Sequence, residues 1–274
     1  MDTSALPHRS APPTSFGEHL RHWRQRRRFS QMDLAHVAEV STRHLSCVET
    51  GRASPSREMV LRLVERLDVP LRERNAWLVA AGFAPLYRAR PLDDPDMASA
   101  RTAVQRILDC HEPWPALAMD RHWNLVMHNR LVPLLMAGAA PELLQGPVNV
   151  LRLSLHPQGL APRIANLRQW REHLFERLRQ QIRATGDPVL SALLKELQGY
   201  PDASGAAPVA LAGEHPGVLM PFQFQTAHGV LQLVSTTTVF GSPVDITLQE
   251  LALETFFPAD DGSAGLLRTI AAQT

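Results

Sequence analysis

The stretch 30–57, SQMDLAHVAEVSTRHLSCVETGRASPSR, narrows the choice of fold more than any other part of the chain. Ser30 stands three residues before Asp33, the spacing at which a hydroxyl and a carboxylate cap a helix reciprocally. Leu34, Ala35 and Ala38 then supply one apolar face. Ser41 caps a second helix, Leu45 and Val48 turn it inward, and Gly51 suits the left-handed residue that ends it. Two short helices meeting at a tight turn make a helix-turn-helix, and its second helix is the kind that enters a DNA major groove.

That geometry sorts the remaining side chains. Thr42, Arg43, Ser46 and Cys47 face away from the core and are the base-contact candidates, with the capping Ser41 beside them. Arg43 leads, because a guanidinium takes guanine O6 and N7 together. Gln31, at the start of the first helix of the pair, is expected to hold a phosphate through its amide and the helix N-terminus. Arg52 and Arg57 flank the reading helix and neutralise backbone charge, and His44 suits either task. Cys47 reads as a small groove-facing side chain, with a redox switch as the alternative. The run Arg26-Arg27-Arg28 is either a solvated helix end or a phosphate contact.

Charge is divided along the chain. Residues 1–90 hold 15 Arg and 9 acidic residues, a net of +6, whereas the remainder nets −5. A basic front and an acidic rear imply that only the front meets a polyanion. Two cysteines, Cys47 and Cys110, make no disulfide framework, and no apolar run reaches membrane-spanning length, so a cytoplasmic protein with no membrane partner is expected.

The domains expected are a flexible tail over 1–14, a helical DNA-binding domain over 15–83, a Pro-rich linker over 84–96 and a second domain over 97–274. Ser15 and Glu18 predict a capping box opening the first helix, Ser56 caps a fourth, and RERNAWLVAAG forms a fifth ending at Gly82. Behind the linker come a helix over 97–110, a hairpin from PALAMD and NLVMHN, and a helix over 130–137. A long helix over 164–185 and a shorter one over 188–197 follow. Two strands then turn at 227–229, and VDITLQE is predicted as a last strand. The fold class is α+β: an all-α front bundle and a rear antiparallel sheet with helices on one face.

The front resembles the xenobiotic-response-element (XRE) class of helix-turn-helix proteins. Arg24, Gln31, Leu34, Ala35, Val40 and Ser41 carry the likeness, together with Leu45, Val48, Glu49, Gly51, Pro55 and Ser56. It implies a structural ion pair between Arg24 and Glu49. Glu39 departs from the class, which usually has Gly in the turn, and a positive φ there costs Glu about 1 kcal/mol.

The rear resembles the subgroup of such regulators that carries an MmyB-like ligand-binding domain. The carriers are EPWPALAMDRHWNLVMHNR at 112–130, NVLRLSLHPQGLAPRIANL at 149–167 and STTTVFGSPVDITLQELALETFFPAD at 235–260. The resemblance implies a PAS-like domain and a fatty-acid-like ligand. Trp170, Phe222, Phe224 and Phe240 are candidate pocket residues, with Leu219, Leu231 and Leu233 alongside, and His156, Arg163 and Arg168 are candidates to hold a carboxylate. Core packing is the competing reading for each aromatic, and loop ordering for His156.

No HExxH, paired CxxC, GxSxG or phosphate-binding glycine loop occurs, so neither an enzyme, a metal site nor a further cofactor is expected. The function expected is sequence-specific transcription regulation by a homodimer on a two-fold symmetric DNA operator. A helical protein-interaction adaptor, or a regulator whose rear domain is purely structural, are the alternatives.

Overall fold

The structure is a computed structural model that describes residues 15–201, 220–241, 243 and 245–272. They fall into two compact units, one drawn from Met1–Arg90 and Ser242–Gln249, the other from Pro91–Gly241 and Glu250–Thr274. No described helix is long and apolar enough to cross a membrane.

The first unit is built from α1 (Phe16–Arg26), α2 (Gln31–Val37), α3 (Thr42–Glu49), α4 (Arg57–Arg66) and α5 (Leu71–Ala80). Local sequence starts most of them. Ser15 with Glu18 and Ser30 with Asp33 form full capping boxes, and Ser41 and Ser56 each accept one backbone N–H of the helix they open. Pro70 has no side-chain acceptor for α5. The amide of Gln249, far along the chain, accepts the Leu71 N–H instead at 2.7 Å.

All five helices end in the same way. The residue after each C-cap takes positive φ: Arg28 (59°), Glu39 (54°), Gly51 (73°), Asp68 (48°) and Gly82 (83°). In α2, Val40 N–H reaches Ala35 O and Glu39 N–H reaches His36 O, the paired bonds of a Schellman motif. A β-carbon in the left-handed region costs energy that glycine avoids. Glu39→Gly is therefore expected to stabilise the first unit by up to about 1 kcal/mol in denaturant unfolding; a loss of stability would contradict the strain at this turn.

Leu20, Leu34, Leu45, Leu63, Trp77 and Leu78 are sealed in the unit's core. The α1–α3 approach is close: a Cβ on Gly17 would lie 2.3 Å from the Glu49 carbonyl oxygen. The residues expected as a linker are held over 86–90. Asn75 donates to Tyr87 O and accepts from Leu86 and Tyr87 N–H, and Arg90 pairs with Asp245 at 3.0 Å.

The second unit carries α6 (Ala98–Cys110), β1 (Ala116–Met119), β2 (Leu125–His128), α7 (Leu131–Met136), α8 (Val150–Leu155), α9 (Leu167–Thr185) and α10 (Pro188–Gln198). After them come β3 (Phe222–Thr226), β4 (Gly229–Val239), β5 (Ala252–Pro258) and α12 (Asp261–Ala272). Its sheet has the order β2-β1-β5-β4-β3, and all neighbours are antiparallel. The class is α+β.

Two sequence expectations are corrected. VDITLQE is not a strand. Its described part forms the short α11 (Ile246–Gln249), opened by Asp245, which accepts the Thr247 N–H. The strand β5 begins after it. Nor do the helices keep to one face. Ala116 and Ala118 of β1 pack with Val104 and Leu108 of α6, while Leu117 and Met119 join the core with Trp170 and Leu174 of α9. Alternate side chains point to opposite faces, so the sheet is covered on both. The unbroken apolar run PALAM is what a strand buried on both sides requires.

Candidate functional site

The first site is the outer surface of α3. Leu45 and Val48 are buried, which turns Ser41, Thr42, Arg43 and His44 to solvent and leaves Ser46 and Cys47 half-buried. The Ser41 hydroxyl accepts the His44 N–H at 3.1 Å and fixes the start of the helix. Arg43, Arg52 and Arg57 are exposed and meet no carboxylate among the described residues.

The helix ends set Arg52 apart. Two residues beyond the C-caps of α1, α2, α4 and α5 stand Phe29, Val40, Val69 and Phe83, all packed on the core. An apolar residue there is the usual partner of a Schellman motif. At the end of α3 the same position is Arg52, whose N–H bonds Cys47 O while its side chain is exposed. The motif is kept and its apolar contact is replaced by a free cation.

Behind this surface α3 is tied to α1. Arg24 meets both oxygens of Glu49, at 2.8 and 2.9 Å, and also donates to Phe29 O. Arg21 adds a third contact at 3.2 Å. Only 1% of the Glu49 side chain is exposed. Burial pushes its carboxyl up, but the Arg24 and Arg21 contacts outweigh that and hold it below the usual carboxylate range. The expected Arg24–Glu49 pair is thus present. Gln31, expected on a phosphate, is half-buried at the first position of α2. Arg27 is also engaged, donating to Leu67 O and Asp68 O at the end of α4.

The second site is an apolar cavity of about 100 Å³ in the second unit. Met119, Trp123, Trp170, Leu174, Phe222 and Phe256 contribute walls, and Ser154, Arg177 and Glu254 bring polar atoms to it. Trp170 Nε1 donates to Ser154 Oγ at 3.0 Å, its ring stacks on His173, and its other neighbour is Phe222 at 4.9 Å. Arg177 donates to both oxygens of Glu254 at 2.9 and 3.0 Å and lies over the Trp123 ring at 4.8 Å. A wider, open cleft of about 330 Å³ beside Glu49 is lined by residues such as Arg21 and Glu18 that already have partners, and offers little apolar surface.

Of the pocket residues expected from sequence, Trp170 and Phe222 line the cavity. Phe224 is sealed in the core, stacked on Phe222 and covered by Arg163, which donates to Leu135 O. Leu231 and Leu233 are core residues too. Arg168 is solvent-exposed and faces Glu172 at 3.8 Å. His156 meets Tyr200 edge-on and accepts the Gln158 N–H, so it orders a loop. Phe240 packs on the α6 side of the sheet. Leu219 lies outside the described residues. Arg177 and Glu254 were missed. The signal was Arg177 itself, a cation within the apolar stripe of Trp170, Leu174 and Leu178 on α9.

Two family models match the chain. The model of the MmyB-like transcription regulator ligand binding domain matches residues 100–270, and that of a helix-turn-helix domain matches residues 15–77. No curated protein matches. Among solved structures, the chain is similar to the crystal structure of the clp gene regulator ClgR from Corynebacterium glutamicum. That match has 23% identity, covers 38% of this chain and 99% of that one, and has a TM-score of 0.22. The chain belongs to the MmyB-like transcription regulators, with a helix-turn-helix domain preceding the ligand binding domain of that family.

Proposed function

We propose that the protein is a sequence-specific DNA-binding regulator of transcription, acting in the cytoplasm as a homodimer on a two-fold symmetric operator. Each α3 lies in a major groove about one helical turn from its mate. The second unit, read as PAS-like, holds the dimer together and takes a small apolar ligand with a fatty-acid-like chain. The ligand acts by preferring one spacing of the two reading helices over another. The observation that carries the DNA reading is the exposed row Thr42, Arg43 and His44, set on a helix whose opposite side is locked by Leu45, Val48 and Glu49.

Selection of bound fragments from random DNA tests it, followed by the selected site in competition with its single-base variants. Arg43→Ala is expected to relax preference at one base pair per half-site, a discrimination of about 1–3 kcal/mol. Arg52→Ala is expected to weaken all sequences alike. Uniform weakening by Arg43→Ala would reject its base-reading role, and a selection that enriches no sequence would favour a protein-docking surface.

A further inference from the structure

We propose, on the ligand-binding reading above, that the connection between β4 and β5 carries the state of the cavity to the first unit, and that the Gln249 amide, which caps α5, is where the signal arrives.

The connection is longer than joining two strands requires. Val239 at the end of β4 pairs with Ala252 at the start of β5, where a hairpin loop usually has about 2–5 residues. Residues 240–251 intervene instead, and the described ones among 242–249 belong to the first unit. There Ile246 N–H donates to Arg88 O at 2.9 Å, Asp245 pairs with Arg90 at 3.0 Å, and Gln249 Oε1 accepts the Leu71 N–H at 2.7 Å. The next two residues are fixed in the second unit. Glu250 meets Arg121 at 3.5 Å, and Leu251 is buried with Val104 and Leu108 of α6. Consecutive Cα atoms stay about 3.8 Å apart, so a displacement of Glu250 is felt at Gln249.

Each end of this link reaches a working part. Beyond Leu251, β5 runs on to Glu254 and Phe256, which line the cavity. Arg121 stands two residues before Trp123, another cavity wall, and Gln181 of α9 clamps the turn, donating to Arg121 O and accepting from Trp123 Nε1, both at 2.7 Å. The cavity, at about 100 Å³, is smaller than the ~300–1,000 Å³ of ordinary ligand pockets, so a ligand chain enters by moving these walls. At the other end, Pro70 brings no side-chain acceptor to the start of α5, and Leu71 is buried, so the Gln249 amide takes the N–H left over there. Trp77 of α5 meets Phe16 of α1 edge-on at 5.3 Å, and α1 holds α3 through Arg24 and Glu49. Displacing Gln249 loosens the helix on which this support rests. The cap is kept with the cavity empty and lost with it filled, and that difference lets a ligand weaken DNA binding.

Fluorescence anisotropy of the full chain on a selected operator, with and without saturating decanoate, tests this in the wild type, in Gln249→Ala and in Gln249→Glu. Decanoate is expected to weaken wild-type binding at least about fivefold. In Gln249→Ala its effect is expected to shrink below about twofold, and Gln249→Glu, whose carboxylate accepts the same N–H, restores it. A cap that served stability alone would weaken DNA binding in Gln249→Ala and leave the decanoate effect in place. Amide hydrogen exchange gives a second reading: the Leu71 N–H of the wild type is expected to exchange faster with decanoate bound. Decanoate that binds by calorimetry without weakening operator binding, or whose effect survives Gln249→Ala, or that leaves Leu71 protected, overturns the proposal and leaves the ligand reading standing. Decanoate that does not bind the folded protein overturns both. Should Gln249→Ala fail to fold, the wild-type exchange measurement decides.

Discussion

Operator affinity is expected to fall about 10²-fold as salt rises from about 50 to about 200 mM. Arg43, Arg52 and Arg57 are exposed and meet no carboxylate among the described residues. Arg43 is assigned to a base edge, so Arg52 and Arg57 are the phosphate contacts; the proposed dimer presents them twice, and about four cations release the counterions condensed at phosphates, giving a slope of log affinity on log salt of about −3.6. The expectation depends on the arginines being free in the protein. A guanidinium already bonded to a carboxylate, as Arg24 is to Glu49, adds little, because it must lose one anion to gain another. Fluorescence anisotropy with a selected operator reads the slope directly. A value near −1 would mean that these side chains do not lie along DNA, and the regulator reading would then have to find another surface.

Which parts of this arrangement were legible in the sequence follows the range of the forces involved. The starts of α1 and α2 were readable because a capping box is closed within four residues, Ser15 with Glu18 and Ser30 with Asp33. The strain at Glu39 was readable for the same reason, since a Schellman turn needs only the helix it ends. Where a distant contact decides, local pattern misled. The alternation in VDITLQE suggests a strand, yet Asp245 is drawn to Arg90 and Gln249 to the bare start of α5, and a short helix satisfies both. The cavity was legible in class and not in membership. Trp170 and Phe222 announce themselves by size, but whether an aromatic lines a cavity or fills a core depends on what stands opposite it, and Phe224 stands under Arg163. Arg177 and Glu254 are 77 residues apart, and only the β4–β5 register together with the phase of α9 brings them together.

Replacing Glu49 by alanine is expected to destabilise the first unit by about 3–5 kcal/mol. The carboxylate is buried, and the Arg24 guanidinium facing it is 12% exposed, so its removal leaves a cation with its partner gone and little water to replace it. The loss also cuts the link between α1 and α3 at the point where Gly17 lets the two backbones touch. Acid reveals the same interaction. The Glu49 carboxyl is held below its ordinary value of 4.5, so its contribution is complete above that value in the wild type and disappears as pH falls through the lower, folded one. Denaturant unfolding between about pH 3 and 7 should therefore show wild-type stability declining on the acid side, with Glu49→Ala flatter over the same range. A loss under about 1 kcal/mol at neutral pH would place the knot among surface pairs that matter little. A loss of the expected size, with weaker DNA binding at temperatures where the variant is still folded, would show that Glu49 holds the reading helix at its working angle without touching the nucleic acid.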